Sequence, residues 1–498
     1  MSTTPRRVVY IVIDGMGTPA FEQACDSGRA PALAFLKEHG SYVRDSTAVF
    51  PTITPAATAS LSTGATPAQH GIPGMCWYSR DEGRLVNYGQ SPRSAVIEGE
   101  NQIVRDWLES LNKRHLSPTV QTIHEQLHAL GLVTASVNFM VFRGPFTSKL
   151  KPDPLERLFF HRGLPRELHG PKELYIADVV GGPSKACSKR LSRRGGAMKR
   201  MRATDEFAGC VTRELLEKNA ADMILFYLHE NDHKSHQHGP GSQIDNLAQA
   251  DEHIANVLST YDSWDETLKH VGFVVTADHA QSPISERKDH IMDLHDVFAD
   301  YRQVLPGHGP DPLKGRDLVA TGNGRVGFVY LNEKRKKKLF PKVVATLRSV
   351  DGLDQVMWRA GQGFVVASDR GELRFSATDE DGVADERGNR WCYEGELGAL
   401  GGVVEDDRIR TPEYPLAMWR VKSALDLDRI GDIVVTPKLT YDIKDLGGVD
   451  HRGGGDHASL HVQDSMIPFV STLAQPPLRP TTVDVVPHIV GHFRSLRR

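Results

Sequence analysis

Four short apolar runs, most of them rich in β-branched residues, punctuate the chain: Val8–Ile13, Leu132–Val137, Met223–Leu228 and Val271–Thr276. Unbroken apolar stretches of this length suit strands buried on both faces. Between them, polar and apolar positions alternate at helical spacing over Val120–Leu130, Asp205–Lys218 and Gln243–Leu258. Strands alternating with helices predict an α/β fold with a mostly parallel central sheet and helices on both faces. In such sheets functional groups collect just beyond the carboxyl ends of the strands. Asp14 follows the first run directly, Asp232 lies four residues beyond the third, and Asp278 lies two beyond the fourth.

The texture changes near residue 300. Gly, Pro and charged residues become dense, and strand-like pieces such as Val326–Leu331 and Phe364–Ala367 alternate with turns. This predicts a smaller α+β insertion over 301–434 within a core formed by 1–300 and 435–498. The core resumes near Lys444 and closes with a strand at Met466–Val470 and a helix after Pro487.

Composition narrows the possibilities. At 39% hydrophobic and 25% charged residues the chain has material for a sizeable buried core, and its formal charge of −3 offers no bulk attraction to nucleic acid or membrane. No apolar run approaches the ~20 residues that cross a bilayer. The five cysteines are odd in number and lack CxxC spacing. They predict neither a disulfide framework nor a thiolate metal site, and with no apolar leader at the N-terminus they suggest a reduced, cytoplasmic setting. Two basic runs, Lys185–Arg202 and Lys334–Lys338, read as solvated faces, or else as a landing surface for an anionic substrate.

The 22 histidines are more telling, because many crowd into short stretches. In HENDHKSHQHGP (His229–Pro240), Asp232 and His236 are four apart and share one helical face, so they can grip one ion. His229, His233 and His238 are alternates or line the outer part of such a site. Asp278 and His279 sit where the chain turns after a strand, and there adjacent residues can face one ion. Asp14 is followed by Gly15 and Gly17, which permit close backbone approach. DHRGGGDHASLH (Asp450–His461) offers three histidines, of which His457 is favoured by its distance from the last strand. Finally, Thr54 before Pro55 reads as a helix N-cap, with the helix running to Thr63 and stopping at Gly64. Thr54 either only caps, or presents a hydroxyl to the positive end of the helix, where an alkoxide and a phosphate are both stabilised.

Taken together, Asp14, Thr54 with the downstream T-G-x-x-P-x-x-H-G of Thr63–Gly71, Asp232 with His236, Asp278 with His279, and His457 resemble the alkaline phosphatase superfamily. The likeness is to its type I phosphodiesterase and nucleotide pyrophosphatase branch, over about 1–300 and 440–498. The resemblance implies two divalent ions. One is held by Asp232, His236 and His457, the other by Asp14, Asp278 and His279 beside the Thr54 oxygen. The mixed Asp and His sets suit zinc, with manganese the alternative. It also implies a small-molecule phosphate ester as substrate, no nucleic-acid partner, and a phosphothreonine intermediate on Thr54. Without a cysteine at that position a sulfatase is disfavoured.

Two departures bear on substrate choice. The branch usually carries an Asn soon after H-G-I, donating to a phosphoryl oxygen, but here the stretch is IPGMCW and Met75 falls about there. Ala57 stands where a second Asn is usual. Asn138 and Arg143, after the second apolar run, are the candidates to replace the lost donor. Asn138 suits a diester and Arg143 the extra charge of a monoester. A phosphodiesterase is the leading expectation. A phosphomonoesterase or phosphonate hydrolase is the alternative, and a non-catalytic metal-binding protein on this fold is the reading from outside enzymes.

Overall fold

The computed structural model describes residues 5–90, 93–94, 97, 99–150, 165–177, 180, 187, 204–304 and 313–497. Seven strands form the central sheet: β1 (Arg7–Ile13), β2 (Ser41–Thr47), β3 (Thr134–Val137), β4 (Glu173–Tyr175), β5 (Met223–Leu228), β6 (Val271–Thr276) and β7 (Met466–Ser471). Their order is β2-β7-β6-β1-β5-β3-β4. From β6 to β4 every pairing is parallel. At the other edge β7 runs antiparallel to both β6 and β2.

Strand β1 shows why its sequence is apolar at every position. Val8, Tyr10 and Val12 enter one hydrophobic cluster, with helices α1 (Thr54–Thr63) and α5 (Val485–Ser495). Val9, Ile11 and Ile13 enter another, with α2 (Asp205–Glu217) and α4 (Gln243–Leu258). Successive side chains of a strand point to opposite faces, so a strand covered on both sides has no polar position to spare.

The register matters for function. Ile13 pairs with Leu228, and Val12 with Thr276, so β1, β5 and β6 end at one level. Neighbouring strands lie about 4.8 Å apart. Asp14, the first turn of helix α3 (Glu230–His238) and the Asp278 turn therefore emerge side by side.

A second, ten-stranded sheet is built from strands between Leu318 and Pro437, among them Gly327–Leu331 and Gly363–Ser368. Lys336 opens the helix Lys336–Arg348 and pairs with Asp432, while Arg335 pairs with Asp317. Lys334, Lys337 and Lys338 face solvent, so that basic run is a solvated helix start. The run Lys185–Arg202, apart from Cys187, lies outside the described residues.

One expectation is corrected. Cys187 is joined to Cys210 of α2 in a disulfide. The two are distant enough in sequence, with no motif spacing, that only the fold brings them together. Disulfides persist mainly in oxidising compartments, so the cysteines do not argue for a reducing one. Among the described residues no helix is long and apolar enough to cross a membrane.

Candidate metal and nucleophile site

Three separate segments meet at the sheet's carboxyl edge through short backbone bridges. Ser282–Pro283 pairs with Gly455–Asp456, tying the chain after His279 to the chain before His457. Thr52 bridges to Ala458, and its hydroxyl donates to the Ser459 carbonyl at 2.8 Å while accepting from the Ala458 N–H at 3.1 Å. Thr54 is thereby stapled to His457. Beneath them Arg325 and Asp464, both wholly buried, form a 3.0 Å ion pair. The Arg325 N–H donates to the His457 carbonyl at 2.8 Å, and Asp464 accepts from Ser459 and Ser282.

The Asp14 loop is held from two sides. Gln243 of α4 accepts from Gly17 N–H and donates to the Gly15 carbonyl at 2.8 Å. Gly15 has φ 67°, and a Cβ there would lie 2.9 Å from Asp232 Oδ1. A side chain at that position is both strained and blocked, so glycine is required for Asp232 to approach Asp14.

The histidines show what the site is shaped to do. His236 Nδ1 lies 2.8 Å from the Gly455 carbonyl, His457 Nδ1 2.7 Å from the Thr52 carbonyl, and His279 Nδ1 3.1 Å from the Ala280 carbonyl. A carbonyl can only accept, so each ring holds a proton on Nδ1 and turns Nε2 toward the carboxylates; burial opposes charge on His236, yet Asp232 holds it above its ordinary range. His236 Nε2 faces Asp232 Oδ2 at 3.2 Å, and His457 Nε2 faces Asp232 Oδ1 at 3.8 Å. His279 Nε2 faces Asp14 Oδ1 at 3.3 Å, Asp278 Oδ2 at 3.6 Å and Thr54 Oγ1 at 3.2 Å. An imidazole fixed by a backbone carbonyl with its other nitrogen free is the usual setting of a metal ligand.

The carboxylates fit the same use. Asp14 Oδ1 and Asp278 Oδ2 are enclosed without a hydrogen-bond partner. Their other oxygens are anchored, Asp14 Oδ2 by the Tyr227 hydroxyl and Asp278 Oδ1 by the N–H groups of Gly15 and His279. Burial, and then the neighbouring Asp278 and Asp232, push the Asp14 carboxyl well above its ordinary range. Burial likewise raises Asp278. Burial opposes ionisation of Asp232 too, yet His236, His457 and His279 hold it well below the usual range. Burial, helped by His279, pushes His457 down to about 3, so its ring is neutral. The ligand atoms of Asp14, Asp278 and His279 lie within 4.8 Å of one another, as do those of Asp232, His279 and His457. At that separation two carboxylates repel by roughly 3 kcal/mol at an effective dielectric near 20, which a divalent ion would reverse.

Thr54 is the first residue of α1 rather than its cap. Ile53 holds the cap position with extended backbone, and Thr54 makes no capping bond. Its hydroxyl is turned to His279 instead, and it lines a cavity of about 700 Å³ with Asp232, His236 and His457. Gly64 ends the helix at φ 71°. His70 lies apart from the site: it is buried, bonded to Ser60 Oγ and the Ile72 N–H, and pushed by burial to about 3.

The remaining candidates are placed as follows. Met75 lines the cavity. Arg143 is engaged elsewhere, with Glu125 and with the carbonyls of Leu116, Ser117 and Val120. The Asn138 side chain accepts from Ala177 N–H and reaches the Thr204 carbonyl. Neither lines the cavity, so the structure does not bring them to Thr54. His233 lines the cavity, whereas His229 is held by Asp205 and His461 caps a short helix. Gln90, Asn323, Asp445 and Asp456, which the sequence did not single out, also line it, as does His451, set aside there in favour of His457. Asn323 grips the Cys76 backbone through both amide atoms, at 2.7 and 2.9 Å. The Gly- and His-rich stretch before His457 was the available signal for two of these.

The type I phosphodiesterase / nucleotide pyrophosphatase family matches the chain over residues 8–459, and the chain belongs to that family, within the alkaline phosphatase superfamily. No curated protein sequence matches it. Among solved structures, phosphonoacetate hydrolase from Sinorhizobium meliloti 1021 in complex with phosphonoformate superposes with a TM-score of 0.56 at 19% identity, covering 98% of this chain and 96% of that one. Murine ectonucleotide pyrophosphatase / phosphodiesterase 5, in an inactive form in complex with AMP, gives 0.53 at 12% identity, covering 98% and 95%. At these identities the likeness establishes the alkaline-phosphatase-like fold. The family is one of phosphoester hydrolases, and the residue groups described above are its candidate metal ligands.

Proposed function

We propose that the protein is a metal-dependent phosphodiesterase of the nucleotide pyrophosphatase kind, acting through a phosphothreonine on Thr54. The observation that carries this reading is the set of three imidazoles, each locked by a backbone carbonyl, whose free nitrogens converge on Asp232, Asp14, Asp278 and Thr54. Asp232, His236 and His457 would hold one divalent ion, and Asp14, Asp278 and His279 with Thr54 the other, zinc suiting the donors best and manganese next. Such a pair would supply Lewis acidity to the phosphoryl group and would lower the pKa of the Thr54 hydroxyl.

The chain's own residues do the rest. Thr54 Oγ1, its proton released to solvent in the cavity, attacks phosphorus in line as the bond to the leaving oxygen breaks. The leaving oxygen takes a proton from that solvent and departs, and water then attacks phosphorus from the opposite side, breaking the bond to Thr54 and returning its proton. Met75 cannot donate a hydrogen bond, and Asn323 and Gln90 are occupied by the Cys76 backbone and by Gly322 with Asp445. In the first turn of α1, Pro55 has no N–H and the Ala57 N–H is bonded to the Ile53 carbonyl, so the Thr54 and Ala56 N–H groups are the donors left there for phosphate. Such neutral donors suit the single charge of a diester better than the double charge of a monoester.

Matched nitrophenyl phosphate diester and monoester substrates, with a phosphonocarboxylate alongside, test the proposal on zinc- and manganese-loaded protein. Diester cleavage that is lost on chelation supports it. Preferred release of phosphate from the phosphonate moves the assignment to a phosphonate hydrolase. Full metal loading with no turnover of any of the three would reduce the protein to a metal-binding one.

A further inference from the structure

Asp442, His451 and Asp456 form a cluster of ligand-type groups that the proposed reaction does not use. Each offers one donor atom, and the three atoms lie within 4.8 Å of one another. Asp442 is 0% and Asp456 2% exposed. Asp442 Oδ1 is enclosed without a hydrogen-bond partner, and His451 Nδ1 and Asp456 Oδ2 face each other, 3.0 Å apart. Asp442 Oδ1 is the same kind of orphaned carboxylate oxygen that Asp14 and Asp278 present at the main site.

The cluster is built rather than incidental. Asp442 lies in a short strand paired with Ile291–Met292, and Asp456 in the strand paired with Ser282–Pro283. Their second oxygens are spoken for: Asp442 Oδ2 accepts from the His451 N–H at 3.1 Å, and Asp456 Oδ1 from the His457 N–H at 2.7 Å. That anchoring fixes the aim of the free oxygens. Gly324, at φ 62°, leaves room for them, since a Cβ there would lie 2.5 Å from Asp456 Oδ2.

An imidazolium between two carboxylates is the simplest alternative. His451 Nδ1 is 3.0 Å from Asp456 Oδ2 and 3.5 Å from Asp442 Oδ2. One N–H cannot serve both, and Asp442 Oδ1 would still be left buried with nothing to accept. Arg325, wholly buried nearby in the fold, pairs with Asp464 and donates to the Lys438 and Tyr441 carbonyls; its Nη2 makes no hydrogen bond, to the cluster or elsewhere.

We infer that Asp442, His451 and Asp456 bind a further divalent cation, of the zinc or manganese class that mixed carboxylate and imidazole donors take. The site adjoins the main one. Asp456 turns Oδ1 toward His236 Nδ1 at 3.8 Å and Oδ2 toward His451, and the His236 and His451 rings stand 4.4 Å apart. A cation there places positive charge on the cavity wall formed by Asp445, Asp450 and Asp456, on the path of an anionic substrate.

Equilibrium dialysis against zinc, with elemental analysis of the full chain, tests the inference. The parent is compared with Asp442→Asn/His451→Ala, and with Asp14→Asn as a main-site control. The double variant is expected to carry one equivalent fewer than the parent. Combining it with Asp14→Asn is expected to remove a second. Asp442→Asn alone, checked by near-ultraviolet circular dichroism, gives the same reading if the double variant does not fold. Equal zinc content in the parent and a folded cluster variant would overturn the inference. Equal content in the parent and Asp14→Asn would instead count against the main-site reading and leave this one standing.

Discussion

Thr54 Oγ1 stands 3.2 Å from His279 Nε2, the ring nitrogen turned away from the Ala280 carbonyl. The hydroxyl therefore faces a ligand-type nitrogen and makes no capping bond to its own helix. Thr54→Ala should cut turnover by roughly a thousandfold or more, as loss of a nucleophile does. Because no cap is lost, stability should change by less than about 0.5 kcal/mol. Thr54→Ser should keep part of the activity. Initial rates and thermal melts of the two variants check both statements, and a near-parental rate for the alanine variant would return Thr54 to a structural role.

Tyr227→Phe removes the hydroxyl that anchors Asp14 Oδ2. Groups that orient a ligand in this way typically contribute 10–100-fold in metal affinity. The variant should bind zinc about that much more weakly in chelator competition, with its fold intact. Unchanged affinity would mean that Asp14 needs no such support.

Chelation should destabilise the protein more at pH 8 than at pH 5. Without cations Asp14 and Asp278 are raised, Asp442 is pushed up to about 6 and Asp445 to about 8, in each case chiefly by burial. A carboxyl raised in the native state stabilises fully below its unfolded value near 4, and that stabilisation is lost as pH climbs through the native values. Asp232 and Asp456 are lowered, so their contribution is complete above about 4 and flat across this window. Metal binding strengthens over the same range as ligands shed protons. Melting temperatures with and without chelator at the two pH values check the sign. A larger drop at pH 5 would contradict it.

Arg143→Ala should act on stability and leave substrate choice alone. Its guanidinium joins Glu125 to three backbone carbonyls, and breaking so enclosed a pair costs about 3 kcal/mol. The ratio of diester to monoester cleavage should stay within twofold of the parent's, on the order of the scatter expected for a residue outside the cavity. A selective loss on the monoester would place Arg143 in substrate recognition after all.

The central strands were legible because β1, β5 and β6 are buried on both faces, which leaves unbroken apolar runs. Their common register was not, since no local pattern records that Ile13 meets Leu228. The ten-stranded sheet was under-read for a related reason. Arg390–Gly395 buries only Trp391, so it lacks the alternation that marks a half-buried strand. Asp14, Asp232 and Asp278 stood out by their position after strands. His451 and Asp456 lay in a stretch already noticed, but one ligand was sought there and their partner Asp442 comes from a short strand elsewhere. Asn138 and Arg143 follow the second apolar run, but local sequence does not record that Asn138 binds Ala177 N–H and Arg143 binds Glu125, away from the cavity.

The stereochemical course at phosphorus tests the central claim most directly. A diester made chiral by sulfur and oxygen isotope substitution is hydrolysed in isotopically labelled water, and the configuration of the product is read by phosphorus NMR. Two in-line displacements, first by Thr54 and then by water, predict net retention. Net inversion would mean that water attacks phosphorus directly, and Thr54 would not be the nucleophile.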